Sequence, residues 1–366
     1  MSSLTEMNDR IDQSVSGFIR RIHVERGAGR MLVLLAIAVL IFAIAKPGIF
    51  LNSLNLQNIG LATPEIGVLA LAMTLAMLTG GIDLSVVGIV NVSAITMSLT
   101  YTAMHAAWGG TADKVWFLLP LVALAVGLVC GLINGVLIGV AGITPILATL
   151  GTMQIFNGLA LVVTGGHVLY DFPPPMGAIG QVTFAGIPLL FFIFVGIAVL
   201  IGVMINKTAQ GRRITLEGAN PTASRYSGID SRQTLLSTYL TTGLLASVAG
   251  ILMVMRNPTA SADYGASYTL LVIVIAVLGG TNPAGGFATV LGVSLAALTL
   301  QVVSSGFRAV RFSSYEYSIA QGAILIAVMV IDQIDLKQLF RRRRAIAPPD
   351  GHERAVAVEV TGRAVR

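Results

Sequence analysis

Long, almost uncharged apolar runs are the feature of this 366-residue sequence that most limits its fold. Charged residues make up 11% of the chain, against roughly 25% in an average soluble domain. Several runs approach or exceed the roughly 20 residues that cross a bilayer as a helix. Residues 31–45 are continuously apolar and lack the alternating pattern of barrel strands. The sequence therefore excludes a soluble enzyme and predicts an all-α polytopic membrane protein.

Hydropathy along the chain predicts about ten transmembrane helices, some of them short or broken. The spans are residues 31–49, 61–79, 82–104, 116–140, 143–164, 187–205, 235–255, 268–281, 286–304 and 315–332. At a rise of about 1.5 Å per residue, the eighth reaches only about 20 Å across a core that is about 30 Å thick. We expect it to penetrate the membrane only part of the way.

The positive charges predict the orientation. A membrane-spanning domain over residues 31–332 leaves an N-terminal arm (1–30), a loop (206–234) and a basic tail (333–366) on one side, and these hold 18 of the 23 lysines and arginines. Because basic residues favour the cytoplasmic side, we expect both termini in the cytoplasm. The tail is expected to be solvated and poorly ordered.

The first span could be a cleaved signal peptide, since residues 43–45 have the small-x-small form of a cleavage site. The charged arm before it is too long for a signal peptide. We therefore expect the first span to be retained.

Motifs for chemistry are missing from the sequence. It contains no phosphate-binding loop and no metalloprotease or serine-hydrolase motif. Its lone cysteine and scattered histidines offer no metal-ligand spacing. Its basic residues flank apolar runs instead of mixing with exposed aromatics, which argues against nucleic acid as a partner. We predict no catalytic residues, no bound metal and no cofactor on this chain.

Ionisable residues inside the predicted spans are also few. Glu65, Asp83 and Glu316 are the main candidates. An ion-coupled carrier usually needs several such residues at mid-membrane. The sequence instead favours a path for a neutral polar solute, with energy supplied by another protein.

A short capped helix is predicted in the loop between spans six and seven. Asn220 suits an N-cap, Pro221 suits the first helical position, and Gly228 can take the left-handed conformation that ends a helix. The roughly seven residues between them are marginal as an isolated helix. The residues alone are compatible with a docking helix for a partner protein or with a plain connection.

Two Gly-Gly breaks interrupt apolar runs, at residues 78–85 and 278–286. Paired breaks in corresponding halves of a transporter can mark the substrate path. The candidate break and gating residues are Gly80, Gly81, Asp83, Ser85, Gly279 and Gly280. Asp83 has two open interpretations: a helix cap, or a contact in the gate or pathway.

With these motifs in order, the sequence resembles the permease subunits of sugar-importing ABC transporters of the ribose, xylose and arabinose type. The resemblance covers residues 61–332. Its segments are residues 78–85, 131–135, 143–153, 158–160 with 164–166, 211–229 and 278–286. Each segment is a weak pattern of small residues, but their order and spacing together are specific.

The resemblance implies a location in the bacterial inner membrane and three partners besides membrane lipid. These partners are a second permease, identical or related, a cytoplasmic ABC ATPase that holds ATP and Mg²⁺, and a sugar-binding protein outside the membrane. It also implies a coupling helix that inserts into a groove of the ATPase. That helix comprises Asn220, Pro221, Thr222, Ala223, Ser224, Arg225, Tyr226, Ser227 and Gly228.

The chain departs from the family pattern at this helix. Members commonly have Glu-Ala-Ala-Arg where this chain has residues 222–225, Thr-Ala-Ser-Arg, and Ala-Ile-Gly-Gly where it has residues 216–219, Leu-Glu-Gly-Ala. The lost acid puts the choice of ATPase partner in doubt.

Polar residues within spans are the candidates for the solute path, because they are costly in lipid unless used. They are Asn91, Asn134, Gln154 and Asn157. Hydrogen bonds between helices are an equally open explanation. Alternative functions are an ion-driven secondary carrier and an ABC permease for branched-chain amino acids. The sequence does not select one sugar, because a separate binding protein would choose it.

Overall fold

Helices make up nearly all the regular structure of the described chain. The computed structural model describes residues 26–265, 267–313, 316, 319, 322 and 323. Within them the helices are α1 (Arg26–Ala45), α2 (Pro47–Phe50), α3 (Ser53–Leu78), α4 (Val86–Trp108), α5 (Leu118–Gly135), α6 (Pro145–Thr164), α7 (Pro174–Gly180), α8 (Leu189–Lys207), α9 (Ala209–Ala219), α10 (Pro221–Tyr226), α11 (Ser231–Arg256), α12 (Tyr268–Leu278) and α13 (Val290–Ala309). A 3₁₀ turn (Gly109–Val115) follows α4 and a π-helical turn (Val136–Val140) extends α5. Strands β1 (Thr183–Phe184) and β2 (Ile187–Pro188) form a small antiparallel hairpin.

The prediction of an all-helical membrane protein is confirmed. Eight helices in the described residues are long and apolar enough to cross a membrane. α12, the predicted eighth span, is an 11-residue apolar helix and is shorter than a full crossing. The predicted tenth span and the basic tail lie almost wholly outside the described residues. The arm is described only from Arg26, where α1 begins.

One helix boundary differs clearly from the sequence prediction. α3 begins at Ser53, eight residues before the predicted start of the second span at Leu61. Its first two turns contain Asn55, Gln57 and Asn58, which lower the hydropathy without preventing a helix. The side chain of Asn52 caps the helix by accepting from the Leu54 amide at 3.0 Å.

α3 is the central helix of the bundle. The 18-residue apolar stretch of α3 is 94% buried, whereas the corresponding stretches of α1 and α8 are 17% and 22% buried. It packs against α8, α11, α12 and α13. The peripheral helices keep their exposed apolar faces for lipid or for other proteins.

Contacts between helix ends define two ends of the bundle. At one, called the inner end, Gly286 N donates to Leu78 O at 3.0 Å and Arg30 Nη2 donates to Leu278 O at 3.1 Å. At the other, the outer end, Leu169 and Ala260 exchange backbone hydrogen bonds of 2.8 and 2.9 Å. The inner end carries the loop between α8 and α11, for which the charge pattern predicts a cytoplasmic location.

Glycines allow α5 and α11 to pack closely. A Cβ at Gly131 would lie 2.5 Å from the carbonyl oxygen of Tyr239, and one at Gly243 would overlap the backbone of Gly127. Small residues at such a crossing let two transmembrane backbones approach. This contact fixes α11, which leads from the inner loop to the outer end.

Candidate functional site

The predicted capped helix is present as α10, six residues long. Asn220 Oδ1 accepts from the Ala223 amide at 3.0 Å, and Pro221 occupies the first helical position. Gly228 follows the helix with a φ of +77°, which an L side chain rarely adopts. The local sequence signals therefore predicted this helix correctly.

α10 presents most of its side chains outward. Ser224 is the buried member, whereas Thr222, Ala223, Arg225 and Ser227 are exposed. Tyr226 is 91% exposed, although it is the largest side chain of the helix. An exposed aromatic on a short, rigidly capped helix is typical of a docking surface.

A hydrogen-bonded relay holds the outward face of α10 against the bundle. Arg225 Nε donates to Ser231 Oγ at 3.3 Å, and Ser231 Oγ donates to Glu217 Oε2 at 3.0 Å. Glu217 is buried at the end of α9. Through Ser231, an acid outside the short helix is thus linked to Arg225.

The segment before α10 contacts both Gly-Gly breaks. A Cβ at Gly218 would overlap the carbonyl oxygen of Leu78 and lie 2.7 Å from Gly286 N. A Cβ at Gly285 would lie 2.7 Å from Gly218 O and 2.8 Å from Gly80 N. Three chain segments far apart in sequence therefore meet at the inner end, backbone against backbone.

Both breaks end helices as predicted. α3 ends at Leu78 and α12 at Leu278, and Gly80 and Gly280 follow with φ values of +81° and +96°. Gly279 packs against α13 and Gly81 against Pro145 and Tyr239, where a Cβ would be crowded. No single sequence motif predicts that these breaks contact Gly218, because the contact depends on long-range packing.

Asp83 anchors the first break to α11. It is buried, and its Oδ1 accepts from Ser85 N at 3.0 Å and from Ser85 Oγ at 2.6 Å. Its Oδ2 accepts from Thr242 Oγ1 at 3.2 Å. The N-cap position of α4 is Ser85, two residues further on, so Asp83 closes the turn ahead of the helix.

The four candidate pathway residues lie in different surroundings. Asn134 is buried and joins Ser85 Oγ to Thr152 Oγ1, with hydrogen bonds of 2.7 Å to each. Asn91 Nδ2 donates to the carbonyls of Ala262 and Tyr264 at 2.8 and 3.0 Å. These bonds support the interhelical interpretation for Asn134, whereas Asn91 bonds to the loop between α11 and α12 and not to another helix.

The other two candidates are on α6. Gln154 is exposed and Asn157 is half-buried. Among the described residues, no hydrogen bond joins any two of the four. The structure therefore does not bring them together as one binding site.

A buried ion pair lies in the outer half of the bundle, and sequence reasoning had singled out only one of its members. Glu65 Oε2 accepts from Arg256 Nη1 at 3.0 Å, with 1% of the Glu65 and 32% of the Arg256 side chain exposed. The Tyr264 hydroxyl also interacts with the Glu65 carboxylate. Tyr264 and Tyr268 lie beside the pair. An intramembrane charge of this kind is costly and usually functional.

Comparisons with known proteins identify the class of this membrane protein. The chain belongs to the family described as branched-chain amino acid transport system / permease component, whose model matches residues 55–329. It is a multi-pass membrane permease and a transport subunit, and the family carries no ATPase domain.

Its relatives include permeases of an importer. The chain is 33% identical over 318 residues to the autoinducer 2 import system permease protein LsrD of Photorhabdus laumondii, covering 84% of this chain and 91% of that protein. It is 33% identical over 293 residues to the protein of that name from Yersinia enterocolitica (77% and 86% covered). The corresponding protein of Salmonella paratyphi A is 30% identical over 331 residues (86% and 95% covered). No solved structure shows a significant match.

Proposed function

We propose that this chain is the membrane-spanning permease subunit of an ATP-driven importer for a monosaccharide or a related small, neutral, hydroxyl-rich solute. A furanose-like signalling compound such as autoinducer 2 is the first solute to test, because the relatives are named for its import. The partners are a cytoplasmic ABC ATPase, an extracytoplasmic solute-binding protein and a second permease copy.

The observation that carries the proposal is the way in which α10 is attached to the bundle. The helix is exposed, yet Gly218, two residues before its N-cap, is in backbone contact with Leu78 and Gly286. An ATPase that binds α10 differently in two states would shift the breaks with it, since a ligand moves an equilibrium only by its differential affinity. The Thr222–Arg225 segment lacks the family acid, and the Glu217–Ser231–Arg225 relay supplies one from α9.

Affinity purification of the tagged, full-length protein in mild detergent tests the proposal. We expect an ABC ATPase in a near-stoichiometric complex. An ion-driven carrier would purify without an ATPase, and ionophores would abolish its transport.

Ala223→Asp tests the role of α10. Ala223 is exposed on the helix, so a carboxylate there leaves folding intact but must be desolvated in an ATPase groove. We expect normal membrane insertion, with ATPase association and solute uptake reduced at least about tenfold, which corresponds to about 1.4 kcal/mol. Ala185→Asp, on the exposed outer hairpin, is the matched control and should behave like the unmodified protein. Normal uptake with normal ATPase association in Ala223→Asp would contradict the assignment.

A further inference from the structure

The chain turns back into the bundle after α11. α11 ends at Arg256, and the re-entrant loop (residues 257–265 and 267) follows it. Asn91, in the inner third of α4, donates hydrogen bonds to the loop carbonyls of Ala262 and Tyr264. The loop therefore reaches deep between the helices instead of lying on the outer surface.

Neighbouring contacts give the depth of the loop. A Cβ at Gly250 would lie 3.1 Å from Val90 O, so this part of α11 is level with Asn91. Gly250 precedes the end of α11 by six residues, which is about 9 Å of helix. Tyr264 thus lies roughly one and a half turns inward from Arg256.

α12 begins at this depth and leaves the outer half of its path without a helix. Its 11 residues span about 16 Å of a hydrocarbon core that is about 30 Å thick. Non-helical backbone at membrane depth is tolerated where it is buried in protein or lines a wet cavity. A short, interrupted span of this kind is also the best structural pointer to a transporter's binding site.

Exposed polar side chains on the loop indicate that it borders water and is not simply buried in protein. Asp263 is exposed, although its neighbours Ala262 and Tyr264 are held by Asn91. Ser267 is exposed and Ser261 is half-buried, with its Oγ accepting from Asp263 N at 3.1 Å. A carboxylate at this depth is too costly to face acyl chains. The loop therefore faces water.

The groups around the loop favour one class of solute. Arg256 offers a partly exposed guanidinium, and Asp263 offers an exposed carboxylate. The rings of Tyr264 and Tyr268 pack edge to face, with centroids 5.9 Å apart at 80°. Donors, acceptors and aromatic surface together suit a compound with several hydroxyl groups.

The charges exclude an anionic solute from this class. Glu65 neutralises Arg256 through their ion pair. Among the described residues, Asp263 forms no ion pair, so its negative charge is not balanced. A phosphorylated sugar would meet like charge.

We propose that the re-entrant loop, with Arg256 and Tyr268, forms a solute-binding site in the outer half of the permease, which takes an uncharged, hydroxyl-rich compound through Asp263, Arg256 and the two tyrosines. The proposal rests on the import function proposed above and names the place where that solute binds. It assigns solute binding to residues other than the three asparagines and one glutamine that were predicted from the sequence to line the solute path.

Cysteine accessibility in intact cells tests the site. Cys130 is the single cysteine, so Cys130→Ser provides a cysteine-free background. In it, Asp263→Cys is treated from outside with a membrane-impermeant methanethiosulfonate reagent, which reacts with thiols in water. Leu200→Cys, 66% exposed in the middle of α8, is the lipid-facing control, and Phe184→Cys, 72% exposed on the outer hairpin, is the aqueous control.

We expect Asp263→Cys to react within about tenfold of the rate of Phe184→Cys, while Leu200→Cys stays unmodified. For protection, Ser267→Cys is used, because it is exposed on the same loop and keeps Asp263; millimolar autoinducer 2, ribose or glucose is added singly, and the one that the unmodified protein imports should slow the reaction at Ser267→Cys but not at Phe184→Cys. An unreactive Asp263→Cys overturns the proposal. Reaction without protection by the imported solute overturns the binding role and leaves only a wet cavity.

Transport of the imported solute gives a second readout. Asp263→Asn should raise the half-saturating concentration at least about fivefold with ATPase association unchanged, whereas Asp171→Asn, an exposed outer carboxylate, should change neither. Unchanged half-saturation in Asp263→Asn contradicts the site. Loss of the ATPase from the unmodified protein would instead count against the import function, so the two failures are distinguishable.

Discussion

Gly218 shows how much can depend on one missing methyl group. Its Cα faces the Leu78 carbonyl and Gly286 N so closely that alanine cannot fit without moving a backbone. The three segments that meet there lie about 140 and about 70 residues apart in sequence. Glycine at this point is therefore required by close approach, since its φ is that of an ordinary helical residue.

We predict that Gly218→Ala pushes the end of α9, and with it α10, away from the two Gly-Gly breaks. Overpacking of this kind costs about 1–3 kcal/mol, so uptake should fall about tenfold or more. ATPase association should persist, because the exposed face of α10 is unchanged, and ATP hydrolysis should lose its stimulation by solute. Gly196→Ala, which meets nothing within 4 Å on α8, is the control. Full coupling in Gly218→Ala would show that the contact transmits nothing.

At the scale of elements, α10 was the most predictable feature of the site. Asn220, Pro221 and Gly228 act within a few residues of one another, so the sequence contains all the information for the helix. The shortness of α12 was equally visible, because it follows from the length of an apolar run. Features of this kind are set by residues close together in the sequence, so tertiary packing does not change them.

Contacts between distant elements could not be predicted in this way. Asn91 was expected either on the solute path or in an interhelical bond, and its actual partners lie 171 and 173 residues away. Asp263 was not singled out at all, because an acid in a polar loop looks like a solvated surface residue until the loop is seen to re-enter the bundle. The re-entry itself depends on tertiary packing.

The N-cap of α10 provides the prediction at this scale. Asn220→Ala removes the bond to the Ala223 amide and should cost about 1 kcal/mol of helix stability. ATPase association should weaken about fivefold, because the helix must be ordered in order to bind. Asn220→Asp keeps an acceptor at the cap and should restore binding, measured by titration of the purified ATPase. Equal weakening by both substitutions would point to a direct contact of Asn220 with the partner.

At the scale of the whole molecule, the alternation of helix ends agrees with the charge pattern. Arg30 bonds to Leu278, and Gly286 bonds to Leu78, at one end, whereas Leu169 and Ala260 meet at the other. The sequence predicted this arrangement from the order of the apolar spans together with the positions of the basic residues. The side of the membrane on which each end lies remains a prediction.

Thiol labelling checks the orientation. In the Cys130→Ser background, Ser227→Cys at the inner end should resist a membrane-impermeant reagent in intact cells and react after the membrane is opened. Phe184→Cys should react in both conditions. Labelling of Ser227→Cys in intact cells would reverse the predicted topology.

α11 connects the two functional regions of this chain as one continuous rod. It starts at Ser231, whose hydroxyl bonds to Arg225 and Glu217, and ends at Arg256, which pairs with Glu65. Its 26 residues separate these contacts by about 39 Å. If the two proposals hold, substitutions that alter solute binding and substitutions that alter ATPase docking lie at opposite ends of one helix. Solute specificity can then diverge between related permeases without any change in the surface that docks the ATPase.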